Sequence, residues 1–192
     1  MIGCLALTAC GSTKQETVES ARTQFAQAQS ISMTAQVQAD FDETIEQYTL
    51  EYSYDGDRWT VLVIQPEFVS GIIARITKDT SELEYDGAIL TTGALLENGI
   101  APISAVPLVH ETLINGTTDC VWEEGDLLAG TFIYDDTISA SVWFDVNGVP
   151  IAAELTENGV VKAKCLLTEV EITHGTTEKT DLGGDQPKES GT

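Results

Sequence analysis

In ISMTAQVQADF, residues 31 to 41, apolar and polar side chains change places at every step. Ile31, Met33, Ala35, Val37, Ala39 and Phe41 fall on one side, and Ser32, Thr34, Gln36, Gln38 and Asp40 on the other. Period two marks a strand with one buried face, because successive side chains of extended backbone point to opposite sides. A helix through the same residues would scatter its apolar members around the circumference.

The pattern continues outward. EQYTLEYSY (46–54) repeats it with Tyr48, Leu50, Tyr52 and Tyr54, and Asp55-Gly56 then supplies the residue pair that a tight hairpin needs for its positive φ angles. Similar pairs recur at Asp86-Gly87, Asn147-Gly148 and Asn158-Gly159. Between them lie DRWTVLVI, GIIARIT, SELEY, AILTT, TTDCVWEE, AGTFIYD, TISASVWFDV, PIAAELT and VVKAKCLLTEVEI. The spacing predicts eleven strands joined by short turns, which argues for an antiparallel meander, since each parallel step would need a crossover of a dozen or more residues. A sheet that long must curl.

Two helical segments interrupt the strands. Thr13 and Glu16 stand at capping-box spacing, and Val18, Ala21, Phe25 and Ala28 recur along one face, predicting a helix capped at Thr13. NGIAPISAVPLVHETLING (98–116) carries Ile103, Val106, Val109 and Leu113 at helical intervals and predicts a short helix broken or started by Pro107. From His174 to Thr192 the chain is polar and is predicted to be disordered.

The opening MIGCLALTACGSTKQ has an apolar run of nine residues, too short for the ~20 that span a bilayer but long enough for a signal h-region. Leu7-Thr8-Ala9-Cys10, followed by Gly11 and Ser12, resembles a lipobox. That resemblance implies a signal remnant at residues 1–9, cleavage before Cys10 and acylation of Cys10, hence a bacterial lipoprotein anchored on the extracytoplasmic face of the membrane. No Lys or Arg precedes the run, so residues are expected to be missing upstream.

The 31 acidic and 9 basic residues give a net charge of −22. Such a surface repels phosphate backbones, which argues against nucleic acid, and it repels anionic bilayers, which leaves Cys10 as the expected anchor. Cys120 and Cys165 each lie in a strand-like run; they could pair in an oxidising compartment, but the reading favours free thiols behaving as small buried hydrophobes.

No catalytic constellation or metal-ligand spacing is found. His110 and His174 have no partner group in the sequence and are expected at the surface or in a cap, and Cys120 has no basic activator nearby. The acidic groups Asp55-Gly56-Asp57, Glu123-Glu124-Gly125-Asp126 and Asp135-Asp136 fall at strand ends, where Asp satisfies local turn amides. Arg58 and Arg75 are expected in surface ion pairs. No cofactor is predicted, and the chain is expected not to be an enzyme.

The order of elements resembles the LolA/LolB-like half-barrel family. DRWTVLVIQPE, with Trp59 and Gln65-Pro66-Glu67, is similar to that family's Trp-containing strand and Gln-Pro turn. YDGAIL resembles its Asp-Gly hairpin, and WFDVNGVPIAAELTENGVVKAKCLLTEVEI its closing strands. The resemblance implies one domain over residues 10–173: a mainly β, unclosed curved antiparallel sheet of about eleven strands, covered by an N-terminal and a mid-chain helix. Where carriers of the family have a basic turn after the second strand, this chain has Asp55-Gly56-Asp57. Two functions follow as expectations. In the first, an apolar concavity lined by Met33, Val37, Phe41, Leu50, Tyr52, Trp59, Val142 and Phe144 holds a lipid or acyl chain. In the second, the small residues Ala35, Ala39, Ala74, Ala140, Ala153 and Ala163 admit the helices, the interior is filled, and an envelope or spore-related protein docks outside.

Overall fold

The computed structural model describes residues 10–40 and 44–175. Helix α1 (Cys10–Ala26) precedes six strands: β1 (Ala28–Asp40), β2 (Ile45–Tyr54), β3 (Trp59–Gln65), β4 (Ile73–Ile76), β5 (Ser81–Tyr85) and β6 (Ala88–Thr92). Helix α2 (Pro102–Asn115) follows, then β7 (Thr117–Glu124), β8 (Leu127–Ile133), β9 (Ile138–Phe144), β10 (Pro150–Glu157) and β11 (Val160–His174). All eleven strands form one antiparallel sheet in the order β6-β5-β4-β3-β2-β1-β11-β10-β9-β8-β7. The meander is therefore split into two blocks that meet where β1 pairs with β11. Strands β6 and β7, consecutive in the chain, form opposite edges. The segment joining them must cross from one edge to the other, and it crosses on the inner face, carrying α2 with it.

Alternation along β1 is realised without exception: Ile31, Met33, Ala35, Val37 and Ala39 are buried, while Ser32, Gln36, Gln38 and Asp40 are exposed. Register propagates that face sideways, Val37 opposite Cys165 and Ala35 opposite Leu167 on β11, then Ala153 opposite Val142 across β10 and β9. Two of the predicted hairpins have both central residues in the left-handed region, Asp86-Gly87 (φ 48° and 79°) and Asn158-Gly159 (52° and 79°). That is the geometry whose twist matches the flanking strands. Asp55, Asp135 and Asp145 each accept backbone amide bonds within their own turns, from Arg58 at 2.9 Å, Ile138 at 2.7 Å and Val149 at 2.8 Å.

The helices depart from expectation in their bounds. α1 starts at Cys10 rather than at Thr13, whose carbonyl instead accepts the Thr17 hydroxyl at 2.9 Å inside the helix, and Ala28 opens β1. Val18, Ala21 and Phe25 do form its buried stripe. α2 starts at Pro102, where a missing N–H costs nothing, and runs through Pro107 without ending there. The Ser104 hydroxyl oxygen accepts the Ala101 amide at 3.0 Å, half of a capping box.

Arg22 ties α1 to the exit of α2. Its Nε donates to the Leu113 carbonyl at 2.6 Å, Nη1 to Glu19 and to Thr118 Oγ1 at 2.9 Å, and Nη2 to the Gly116 carbonyl, with the guanidinium 5.1 Å from the Phe132 ring centre. Gly116 makes this turn tight: a Cβ there would stand 3.0 Å from the Ile133 carbonyl oxygen and closer still to that of Thr112.

The cysteines do not pair. Cys165 is buried on β11 and Cys120 is exposed on β7, with β10, β9 and β8 between them. Four strand steps of about 4.8 Å place them far beyond the ~4.4–6.8 Å Cα separation of a disulfide. The expectation that both behave as buried thiols holds for Cys165, where burial pushes the thiol pKa up to about 12, and fails for Cys120.

Candidate functional site: a filled half-barrel

The expected lining residues converge on one face. Met33 and Val37 on β1, Leu50 and Tyr52 on β2, Trp59 opening β3, and Val142 and Phe144 on β9 all point inward, and none is more than 5% exposed. Phe41 lies outside the described residues, as do the expected signal remnant at 1–9 and residues 176–192 of the tail. What these side chains line is occupied. Every residue of α2 from Ser104 to Leu113 is buried, and Val106, Leu108, Val109 and Leu113 belong to the same apolar cluster as the lining. A helix buried all round sits inside a core. The small residues make room for it, Ala35, Ala74 and Ala140 being fully buried and Ala39, Ala153 and Ala163 nearly so. The expected hollow is therefore filled by protein in this conformation.

His110 overturns its sequence reading. Instead of a surface or cap position it sits 2% exposed at the centre of the inner face. The Tyr52 hydroxyl shares a hydrogen bond with its Nδ1, and Phe25, Tyr54 and Trp59 meet its ring edge-on at centroid distances of 5.9, 4.6 and 6.1 Å. Burial lowers its pKa from 6.5 to about 4, so the ring is neutral at pH 7. Four buried polar atoms in and against α2 have no hydrogen-bond partner among the described residues: Trp59 Nε1, His110 Nε2, Glu111 Oε2 and Thr112 Oγ1. Each such group costs about 1–3 kcal/mol of desolvation. No sequence signal pointed to His110, because alternation cannot reveal what lies across a core.

His174, at the end of β11, is exposed. Arg58 pairs with Asp55 at 3.7 Å at the surface, as expected, and Arg75 pairs with Glu84 at 2.6 Å, both half-buried. Glu123 pairs with Lys14 at 2.7 Å, and Glu124 accepts Trp143 Nε1–H at 2.8 Å. Among the described residues no three His, Cys, Asp or Glu are placed to hold a metal ion, and no helix is long and apolar enough to cross a membrane.

The larger concavities open on the outer face of the sheet. One, of about 590 Å³, runs from Gln65 and Thr49 across Gln36 and Leu166 to Trp143; another, of about 660 Å³, lies over Thr34, Glu51, Leu62 and Arg75.

No protein-family model matches the chain, and no curated protein sequence matches it. Among solved structures the chain is similar to an uncharacterized conserved protein from Thermus thermophilus, at 11% identity over 85% of this chain and 90% of that one, with a TM-score of 0.51. A putative outer membrane lipoprotein-sorting protein domain from Vibrio parahaemolyticus aligns at 12% identity over 86% and 95%, with a TM-score of 0.49. A LolA superfamily protein from Nitrosomonas europaea aligns at 12% over 86% and 94%, with a TM-score of 0.45. Identities this low speak to architecture alone. The chain has the architecture that the resemblance in its sequence implied, an unclosed eleven-stranded half-barrel with helices on its inner face, and it shares that architecture with the Thermus thermophilus protein.

Proposed function

We propose that this chain is a lipid-anchored protein of the bacterial envelope that keeps the half-barrel as a filled scaffold and works by binding at its outer surface, without catalysis. The observation that carries the reading is α2, buried from Ser104 to Leu113 in the place where a cargo would lie. Acylated Cys10 would be the first residue of α1, leaving no stalk between anchor and domain. A protein partner with a basic face suits the acidic turn at Glu123, Glu124 and Asp126, all exposed. Charge reversal at these three positions is expected to release such a partner in pull-downs.

One observation favours a second reading, in which an acyl chain takes the place of α2. The four unpartnered buried polar atoms lower the cost of moving the helix aside. Native mass spectrometry with lipid extraction separates the two readings, using the domain with Cys10→Ser so that the anchor's own acyl chains are absent. The filled scaffold is expected to fly empty and to leave a fluorescent fatty acid unbound. A stoichiometric bound lipid would overturn it and make Met33, Leu50 and Trp59 cargo contacts.

A further inference from the structure

The outer face of the sheet carries a band with no charge. Register joins Gln65 on β3 to Thr49, Thr49 to Gln36, Gln36 to Leu166, Leu166 to Ala152, Ala152 to Trp143, Trp143 to Ala129 and Ala129 to Trp122 on β7, one side chain per strand across the sheet. In a chain with 31 acidic and 9 basic residues, none of these is ionisable. The neighbouring row, Gln47 to Gln38 to Lys164 to Glu154, contains one cation and one carboxylate, and they neutralise each other at 2.7 Å. These two rows, with Leu127 and with Glu124, whose carboxylate accepts the Trp143 Nε1–H, line the concavity of about 590 Å³, within the ~300–1,000 Å³ of ligand sites.

The side chains in it are prepared for a partner. Gln36, Gln38, Gln47 and Gln65 are exposed, and their amides make no hydrogen bond to other described residues. Each offers a carbonyl acceptor and two donors, the complement of a hydroxyl, which both gives and takes. Trp143 is fixed at the far end of the groove by its Nε1–H bond to Glu124 and by an edge contact with Trp122 at 5.8 Å. Its cross-strand neighbours are Ala129, which is fully buried, and Ala152, and the indole itself is half-buried. The groove crosses the middle of the sheet, where backbone N–H and C=O groups are committed to neighbouring strands, so an added peptide strand has nothing to pair with.

We infer that this groove is a binding site for a neutral, hydroxyl-rich oligosaccharide, whose C–H face stacks on Trp143 while its hydroxyls bond the glutamine amides. A net charge of −22 disfavours anionic polymers there, and the self-neutralised Lys164–Glu154 pair offers them no free cation. The inference does not depend on the state of the interior; it shares Glu124, which holds Trp143, with the acidic turn proposed above.

The test is isothermal titration of the Cys10→Ser domain with two neutral probes, the tetrasaccharides of β-linked glucose and of β-linked N-acetylglucosamine, at low and at high salt. Saturable binding of at least one probe is expected, unchanged by salt, because no ion pairs form. Trp143→Ala is expected to weaken it about tenfold, equivalent to about 1.4 kcal/mol, and Gln36→Ala with Gln47→Ala together by a similar factor. Gln36 and Gln47 are exposed, so their variants decide the matter if Trp143→Ala fails to fold. Arg75→Ala, outside the groove on the same face, should bind as the parent does. No binding of either probe at millimolar concentration would overturn the inference. So would binding that survives the glutamine substitutions.

Discussion

His110 shows how one residue can couple the fold to pH. Its ordinary pKa near 6.5 applies to the unfolded chain, while burial among Phe25, Tyr52, Tyr54 and Trp59 holds the folded value at about 4. Between those values the unfolded chain binds the proton and the folded one does not, so stability is full above the unfolded pKa and is lost as pH falls toward the folded one. Going from pH 7 to pH 4.5 is expected to cost about 2–3 kcal/mol by this group alone. Asp55 acts lower on the scale: the Arg58 backbone amide depresses its pKa below the ordinary 3.8, so its contribution disappears only as pH falls below that value. Urea unfolding of the parent and of His110→Gln at both pH values isolates the histidine. The variant should lack most of the parent's loss, and equal losses in the two proteins would show that His110 is not its source.

At the scale of elements, the filling of the half-barrel depends on how α2 is held. Arg22 clamps the end of the helix through carbonyls of Leu113 and Gly116 and through Thr118 at the start of β7, while burying most of its own side chain. A guanidinium presents its donors in a fixed fork, whereas a lysine ammonium is a point charge and reaches one or two of these acceptors at most. Arg22→Lys is therefore expected to destabilise the protein by about 2–3 kcal/mol, read from the urea midpoint at constant m-value. A loss below about 0.5 kcal/mol would mean that apolar contacts alone seat α2. α1 owes its place to the same junction as well as to Val18, Ala21 and Phe25, which pack into the shared core.

The whole molecule carries its charge unevenly. A net −22 works against compactness by self-repulsion, which salt relieves once the Debye length shortens to ~8 Å at physiological ionic strength. Raising sodium chloride from about 10 mM to about 150 mM is expected to lift the melting temperature by about 2–4 °C, roughly 1 kcal/mol for a chain of this size, as read by calorimetry. A falling melting temperature would show that ion pairs such as Arg75–Glu84 and Lys14–Glu123 outweigh the repulsion. Against this acidic background, the uncharged row from Gln65 to Trp122 stands apart.

Strand content and turn chemistry were legible because they are local. ISMTAQVQADF carries its own period, and Asp86-Gly87 and Asn158-Gly159 meet the left-handed conformation their turns require. The inward face of β1, β2 and β9 followed from the same alternation, and with it the described lining residues on those three strands. The capped start at Thr13 failed because a capping box is a preference worth about 1 kcal/mol, and α1 continues back to Cys10. Pro107 failed as a breaker because tertiary burial of α2 outweighs a lost bond and a ring clash of about 3 kcal/mol. His110 and the neutral outer band needed the fold itself, since each is assembled from strands far apart in sequence. By itself, then, the sequence determined which residues alternate, where the chain turns and which face is apolar, all of them properties of neighbouring residues. The tertiary structure decided whether that face stays hollow, because only the path of the β6–β7 connection, from one edge of the sheet to the other, brings α2 into it.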